Sequence, residues 1–112
     1  MKLGFIGTGN ISSDVITGIC KSKLSFKKII ISKRNKKKSQ FLKKKFKNKI
    51  IIARNNQDVI DNSDWIFLGV LPKVGEKILP NLKFKSNQTL VSFMSTVNLK
   101  QLKKITNKKG NI

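Results

Sequence analysis

The sequence predicts an α/β fold: a parallel sheet of about five strands with helices on both faces. Three observations predict it. Short apolar runs alternate with amphipathic stretches along the chain, the pattern of repeated strand–helix units. The run Ile29-Ile30-Ile31 is continuously β-branched, as expected of a strand covered on both faces. Gly4, Gly7 and Gly9 crowd the end of the first apolar run, where the first helical pattern begins.

Each element has its own warrant. Lys2 to Ile6 is a first strand. Asn10 to Leu24 is a helix, because Ile11, Val15, Ile16, Ile19 and Cys20 recur at helical spacing. Lys28 to Ser32 is the second strand. Lys36 to Phe46 is a very basic helix whose apolar residues Phe41, Leu42 and Phe46 form a narrow stripe. Ile50 to Ala53 is a third strand. Asn56 to Asn62 is a short helix with Val59 and Ile60 inward. Trp65 to Val70 is the fourth strand, Val74 to Leu79 a helical turn or two, and Thr89 to Phe93 the fifth strand. Leu99 to Ile105 is the last helix.

The 112 residues suit one domain, residues 1–112. The single cysteine, Cys20, forbids an internal disulfide and fits a reduced, cytoplasmic setting. No apolar stretch approaches the roughly 18 residues of a membrane span, so no membrane partner is expected. The net charge of +20 invites a nucleic-acid reading. However, 23 of the 25 basic residues are lysine and only Arg34 and Arg54 are arginine, whose planar fork suits phosphate and base recognition better. Abundant Lys, Asn and Ile share AT-rich codons, and the lysines read as solvated surface. A nucleic-acid binder is expected to expose aromatics among its lysines. Phe5, Phe41, Phe46, Phe67 and Phe93 fall on strands or apolar stripes and are assigned to the core, so specific nucleic-acid binding is not expected.

Gly7-Thr8-Gly9-Asn10-Ile11-Ser12 has the form G-x-G-x-x-S. Gly7 suits a tight turn out of the strand, and Gly9 lets a pyrophosphate approach the backbone N–H groups at the helix start. Ser12 is small enough for close packing of helix on strand. Placed between a strand and a helix at the head of a βαβ unit, the motif reads as a Rossmann-type dinucleotide turn rather than a plain tight turn. About 20 residues on, NAD enzymes hold an acid for the ribose 2′-hydroxyl. Here the residues are Ser32, Lys33, Arg34 and Asn35, and no acid occurs between Asp14 and Asp58. Hydroxyl and cationic donors suit a 2′-phosphate, so NADP (NADPH) is the expected cofactor. The alternative is that Lys33 and Arg34 are two more surface charges.

GFIGTGN, the strand ending ISKRN, NQDVIDNSDWIFLGVLP and LVSFMSTVNLKQL, in this order and spacing, resemble the cofactor-binding domain of pyrroline-5-carboxylate reductases. Those enzymes reduce pyrroline-5-carboxylate to proline with NAD(P)H. The resemblance implies a pyrophosphate loop at Gly7, Thr8, Gly9, Asn10 and Ile11. It implies a 2′-phosphate pocket at Ser32, Arg34 and Asn35, with Lys33 beside them, and a ribose contact at Asn56. Gly69, Val70, Leu71 and Pro72 match the family's A-V-K-P, which lies along the cofactor towards the nicotinamide. Ser92 to Thr96 matches a loop near that ring. Leu71 replaces the family's lysine, and Ser95-Thr96 replaces its Ala-Gly. These departures keep open a paralogue that acts on another imine or carbonyl, or a cofactor-binding remnant. The family carries a second, all-helical domain that builds the dimer and the substrate pocket. Its absence from this sequence implies a fragment or truncated product, inactive alone. The residues show no cluster of catalytic groups or metal ligands, and no histidine. Cys20 reads as core, and Ser92, Ser95 and Thr96 as loop and cap residues.

Overall fold

The computed structural model describes residues 1–7, 10–22, 28–32, 36–93 and 100–101. Five strands form one sheet: β1 (Lys2–Ile6), β2 (Lys28–Ile31), β3 (Ile50–Ile52), β4 (Trp65–Leu68) and β5 (Thr89–Ser92). Their order is β3-β2-β1-β4-β5, and every neighbouring pair is parallel. The helices are α1 (Asn10–Lys21), α2 (Lys36–Lys45), α3 (Asn56–Asp61) and α4 (Pro72–Ile78), followed by a 3₁₀ turn at Leu79–Asn81.

Alternate residues of the central strands β1, β2 and β4 feed two separate cores. Leu3, Phe5, Ile29, Ile31 and Ile50 pack with Ile16, Cys20 and Leu42 from α1 and α2. Ile6, Ile30, Ile66, Leu68 and Leu90 pack on the other face with Val59 and Ile60 of α3 and with Leu79. Ile29, Ile30 and Ile31 are all buried, as the β-branched run predicts for a central strand. Phe5 stacks on Phe67 at 4.5 Å between ring centroids, which joins β1 to β4 across the first face.

The differences from expectation have local causes. The first helix stops at Lys21 rather than Leu24, because Ser22 turns its amide and hydroxyl back onto the Ile19 carbonyl at 3.1 and 2.7 Å. The fourth strand stops at Leu68 rather than Val70, and α4 starts at Pro72 rather than Val74. Proline fits the first helical position and biases Leu71 before it towards an extended backbone. Of the last predicted helix, only Lys100 and Gln101 lie within the described residues, and both are helical. Phe41 corrects the assignment of that ring to the core: it is 58% exposed, while Leu42 is fully buried. Ser39 and Leu42 are the buried residues of α2 and fix the side that faces the sheet, and Phe41 falls off that side.

Cys20 is buried on the α1–α2 face, and burial pushes its thiol pKa up against the opposing pull of the Lys49 ammonium. The expected outcome with a disulfide reagent near pH 8 is slow labelling of the folded chain and complete labelling in denaturant. Rapid labelling without denaturant would contradict this burial.

Candidate functional site

Because the strands are parallel, their carboxyl ends share one pole of the domain. Gly7, Ser32, Ala53, Gly69 and Phe93 follow the five strands there. The chain moves outward from β1 through β2 to β3, then crosses back to β4 on the other side of β1. The order therefore reverses between β1 and β4. At that reversal the outgoing connections leave for opposite faces, which opens the crevice where ligands of such sheets bind.

The backbones of Gly7 and Gly69 meet at this point. Gly69 N–H donates to the Ile6 carbonyl at 2.8 Å. Gly7 has φ +90°, a conformation natural to glycine, and a Cβ there would meet the Gly69 carbonyl oxygen at 2.7 Å and Val70 Cγ1 at 2.8 Å. A Cβ on Gly69 would lie 2.0 Å from the Ser12 Oγ. The turn thus brings bare backbone to the start of α1, a 12-residue helix with no acid in its first turn. The N–H groups and dipole at such a start favour a phosphate, and nothing acidic in the first turn opposes it.

Two serines tie the end of β2 to this turn. Gly7 N–H donates to the Ser32 Oγ at 3.0 Å, and the Ser39 hydroxyl of α2 donates to the Ser32 carbonyl at 2.8 Å. Both serines are buried, Ser32 at 3% exposure. The acceptor side of the Ser32 hydroxyl is therefore engaged within the fold. Ser12 is also buried, yet its hydroxyl has no hydrogen-bond partner among the described residues.

The other expected site residues fall as follows. Asn10 and Ile11 form the first turn of α1. Asn56 begins α3 just beyond β3, next to Asn55, whose side chain caps the helix by accepting from Asp58 N–H at 2.8 Å. Gly69 and Val70 are half-buried beside β1, and Leu71 and Pro72 open α4. Leu71 is 74% exposed. All of these share the carboxyl pole with Gly7 and Ser32. Thr8, Gly9, Lys33, Arg34 and Asn35 lie outside the described residues, as does the 94–96 part of the expected nicotinamide loop. Sequence reasoning passed over Ser39 and the pairing of Ser12 with Gly69. The small residues at positions 12 and 69 were the signal for that pairing, but their contact depends on how β4 sits beside β1.

The opposite pole holds a concavity of about 280 Å³ lined by Asp61, Asp64, Lys85 and Gln88 among others. Its polar groups serve the fold. The Gln88 amide donates to the Ile60 and Ser63 carbonyls, and Asp64 accepts from Lys2 N–H. Among the described residues no three His, Cys, Asp or Glu side chains gather as a metal site, and no helix is long and apolar enough to cross a membrane.

Comparison with known proteins agrees with this geometry. Residues 2–96 match the family model described as NADP oxidoreductase coenzyme F420-dependent. No curated protein sequence matches the chain. Among solved structures, a 1-pyrroline-5-carboxylate reductase from Streptococcus pyogenes is 30% identical with a TM-score of 0.76, over 94% of this chain and 38% of that one. A pyrroline-5-carboxylate reductase from Coxiella burnetii gives 20% identity and a TM-score of 0.80, over 93% of this chain and 39% of its own. A pyrroline carboxylate reductase from Plasmodium falciparum, solved with NADP bound, gives 23% identity and 0.77, over 95% and 38%. The chain thus spans about two-fifths of the length of these reductases. With the glycine turn, the strand-order reversal and a family match over most of its length, the chain belongs to the NADP oxidoreductase, coenzyme F420-dependent family, and its Rossmann-type fold is that of part of the pyrroline-5-carboxylate reductases.

Proposed function

We propose that the chain binds NADPH across the carboxyl end of its sheet and serves as the cofactor half of a pyrroline-5-carboxylate reductase-like enzyme of proline biosynthesis. The observation that carries this reading is the positive-φ Gly7, packed against Gly69 at the strand-order reversal and opening onto the start of α1. Gly7 makes the turn, its own N–H engaged by Ser32, and the backbone N–H groups that follow it, from Thr8 to Ile11, would hold the pyrophosphate. Lys33, Arg34 and Asn35, which follow Ser32, would hold the 2′-phosphate, and Asn56 a ribose. Gly69 to Pro72 would line the path to the nicotinamide. Bound there, NADPH supplies a hydride for a cyclic imine.

The wall that presses the imine against the nicotinamide belongs, on this reading, to the length by which the reductases exceed this chain. Positioning supplies much of the rate in such transfers, so the 112 residues alone are expected to bind cofactor without turning over substrate. A second reading, a relative acting on another imine or carbonyl, is favoured by Leu71. This exposed apolar side chain stands where the resemblance leads one to expect lysine.

Calorimetric titration tests the cofactor assignment. NADPH is expected to bind distinctly more tightly than NADH. Arg34→Ala is expected to weaken NADPH by about 1–3 kcal/mol, the scale of a charge-assisted hydrogen bond, and to leave NADH almost unchanged. Equal losses for both cofactors would remove Arg34 from the 2′-phosphate pocket.

A further inference from the structure

The lysines are not spread evenly over the folded domain. Lys36 to Lys49, which covers α2 and the turn after it, contains eight lysines and no acid. Four of the five acids, Asp58, Asp61, Asp64 and Glu76, lie in or next to α3, α4 and β4. Ser39 and Leu42 are buried and fix which side of α2 faces the sheet. The outward side then carries Lys37, Phe41, Lys44 and Lys45, all exposed. Lys37 lies one turn before Phe41, and Lys44 and Lys45 one turn after it, which makes them neighbours of the ring on the helix surface. The Lys45 ammonium sits 5.6 Å from the Phe41 ring centroid, and Phe41 is 58% exposed.

From this arrangement we propose that the outer face of α2 is an interface for single-stranded nucleic acid, read without sequence preference. Lysines spaced by a helical turn neutralise successive phosphates, and an exposed phenyl ring among them offers a stacking surface to any base. A lipid surface is the less suitable partner. The apolar side of α2 is spent on the core, and a single ring on the charged side gives little area to insert. The proposal rests on the outer face of α2 and not on the cofactor reading, although Lys37 follows two residues after Asn35 of the proposed 2′-phosphate pocket.

The test uses the full chain and a fluorescently labelled oligothymidylate of about 20 nucleotides, followed by anisotropy at several salt concentrations. Phe41→Ala is expected to weaken binding roughly 5-fold or more through lost stacking and to leave the salt dependence unchanged. The triple change Lys37→Gln, Lys44→Gln and Lys45→Gln is expected to lower the slope of log K against log salt by roughly 2, at about 0.7 per phosphate for a single strand. The same substitution at Lys73, Lys77 and Lys83, on the other side of the sheet, should change little. Because Phe41 is exposed, its alanine variant should melt at the wild-type temperature, so lost binding cannot be traced to unfolding. Equal losses from the two lysine triples would overturn the proposal in favour of diffuse attraction to a basic chain. So would a Phe41→Ala effect confined to vesicles containing phosphatidylserine, with the oligonucleotide unaffected.

Discussion

Replacing Gly7 with alanine is expected to remove both stability and cofactor binding. At φ +90° an L-residue is strained by about 1–3 kcal/mol before any contact is counted. The added Cβ would also stand 2.7 Å from the Gly69 carbonyl oxygen. That oxygen belongs to backbone held by the Gly69 N–H bond to Ile6, so it cannot swing away as a side chain would. Overpacking of this kind adds about 1–3 kcal/mol. The combined loss is on the order of 3 kcal/mol, a large part of the stability of a small domain, and is expected to lower the melting temperature by roughly 10–20 °C. The Gly7 amide that bonds Ser32 would be turned as well, and the expected NADPH signal is lost even where the variant remains folded. Melting curves and calorimetry check the two parts separately. A variant with wild-type melting and wild-type affinity would show that the turn tolerates a side chain.

The second large effect concerns Gly69 and Ser12, whose substitutions should be strongly non-additive. In Gly69→Ala the Cβ would lie 2.0 Å from the Ser12 Oγ, well inside contact distance. Ser12 is buried on α1, so either its hydroxyl must rotate or the backbone must shift, and Gly69→Ala is expected to destabilise by about 1–3 kcal/mol. In Ser12→Ala the oxygen is gone and the nearest atoms to that Cβ become the Ser12 Cβ at 3.4 Å and the Gly7 carbonyl oxygen at 3.5 Å, both ordinary contacts. The double variant should therefore recover most of the loss, with a coupling energy of about 1–3 kcal/mol. Ser12→Ala alone is expected to stabilise slightly, because it deletes a buried hydroxyl that has no partner among the described residues. Denaturant unfolding of the four proteins closes the cycle. Additive effects would mean that the two residues do not meet.

The sheet was legible in the sequence because its signals are local. The triple isoleucine of β2, the period of α1 and the glycine turn each lie within one short stretch, and all five strands appear where those signals put them. What was illegible depends on strands far apart in sequence lying side by side. Gly4 lacks a side chain because a Cβ there would meet the Ser63 hydroxyl at 2.1 Å and Val59 Cγ1 at 2.9 Å, where α3 crosses β1. Gln88 reads as a loop residue but is buried, and its amide joins the end of α3 to the start of β5. Gly69 belongs with Ser12 for the same reason. Phe41 failed differently: the stripe of Phe41, Leu42 and Phe46 does not reveal that the sheet covers the side of α2 shared by Ser39 and Leu42, which leaves Phe41 turned outward. Among the site residues, the glycine turn was legible from its motif. The engagement of the Ser32 hydroxyl by Gly7 N–H was not, because it requires knowing that β1 and β2 end level with each other.

The location of the cofactor is the claim on which the rest depends, and amide chemical-shift mapping of the isotope-labelled chain with NADPH tests it most directly. The predicted result is that the largest shifts fall at Gly7, at the first turn of α1, and at Gly69 and Val70, with smaller ones near Asn56. The amides of Lys2, Asp64 and Gln88 at the opposite pole should stay in place. Shifts concentrated around Asp64, Lys85 and Gln88, with Gly7 and Gly69 unmoved, would place the ligand in the concavity at the other end of the sheet and contradict the account.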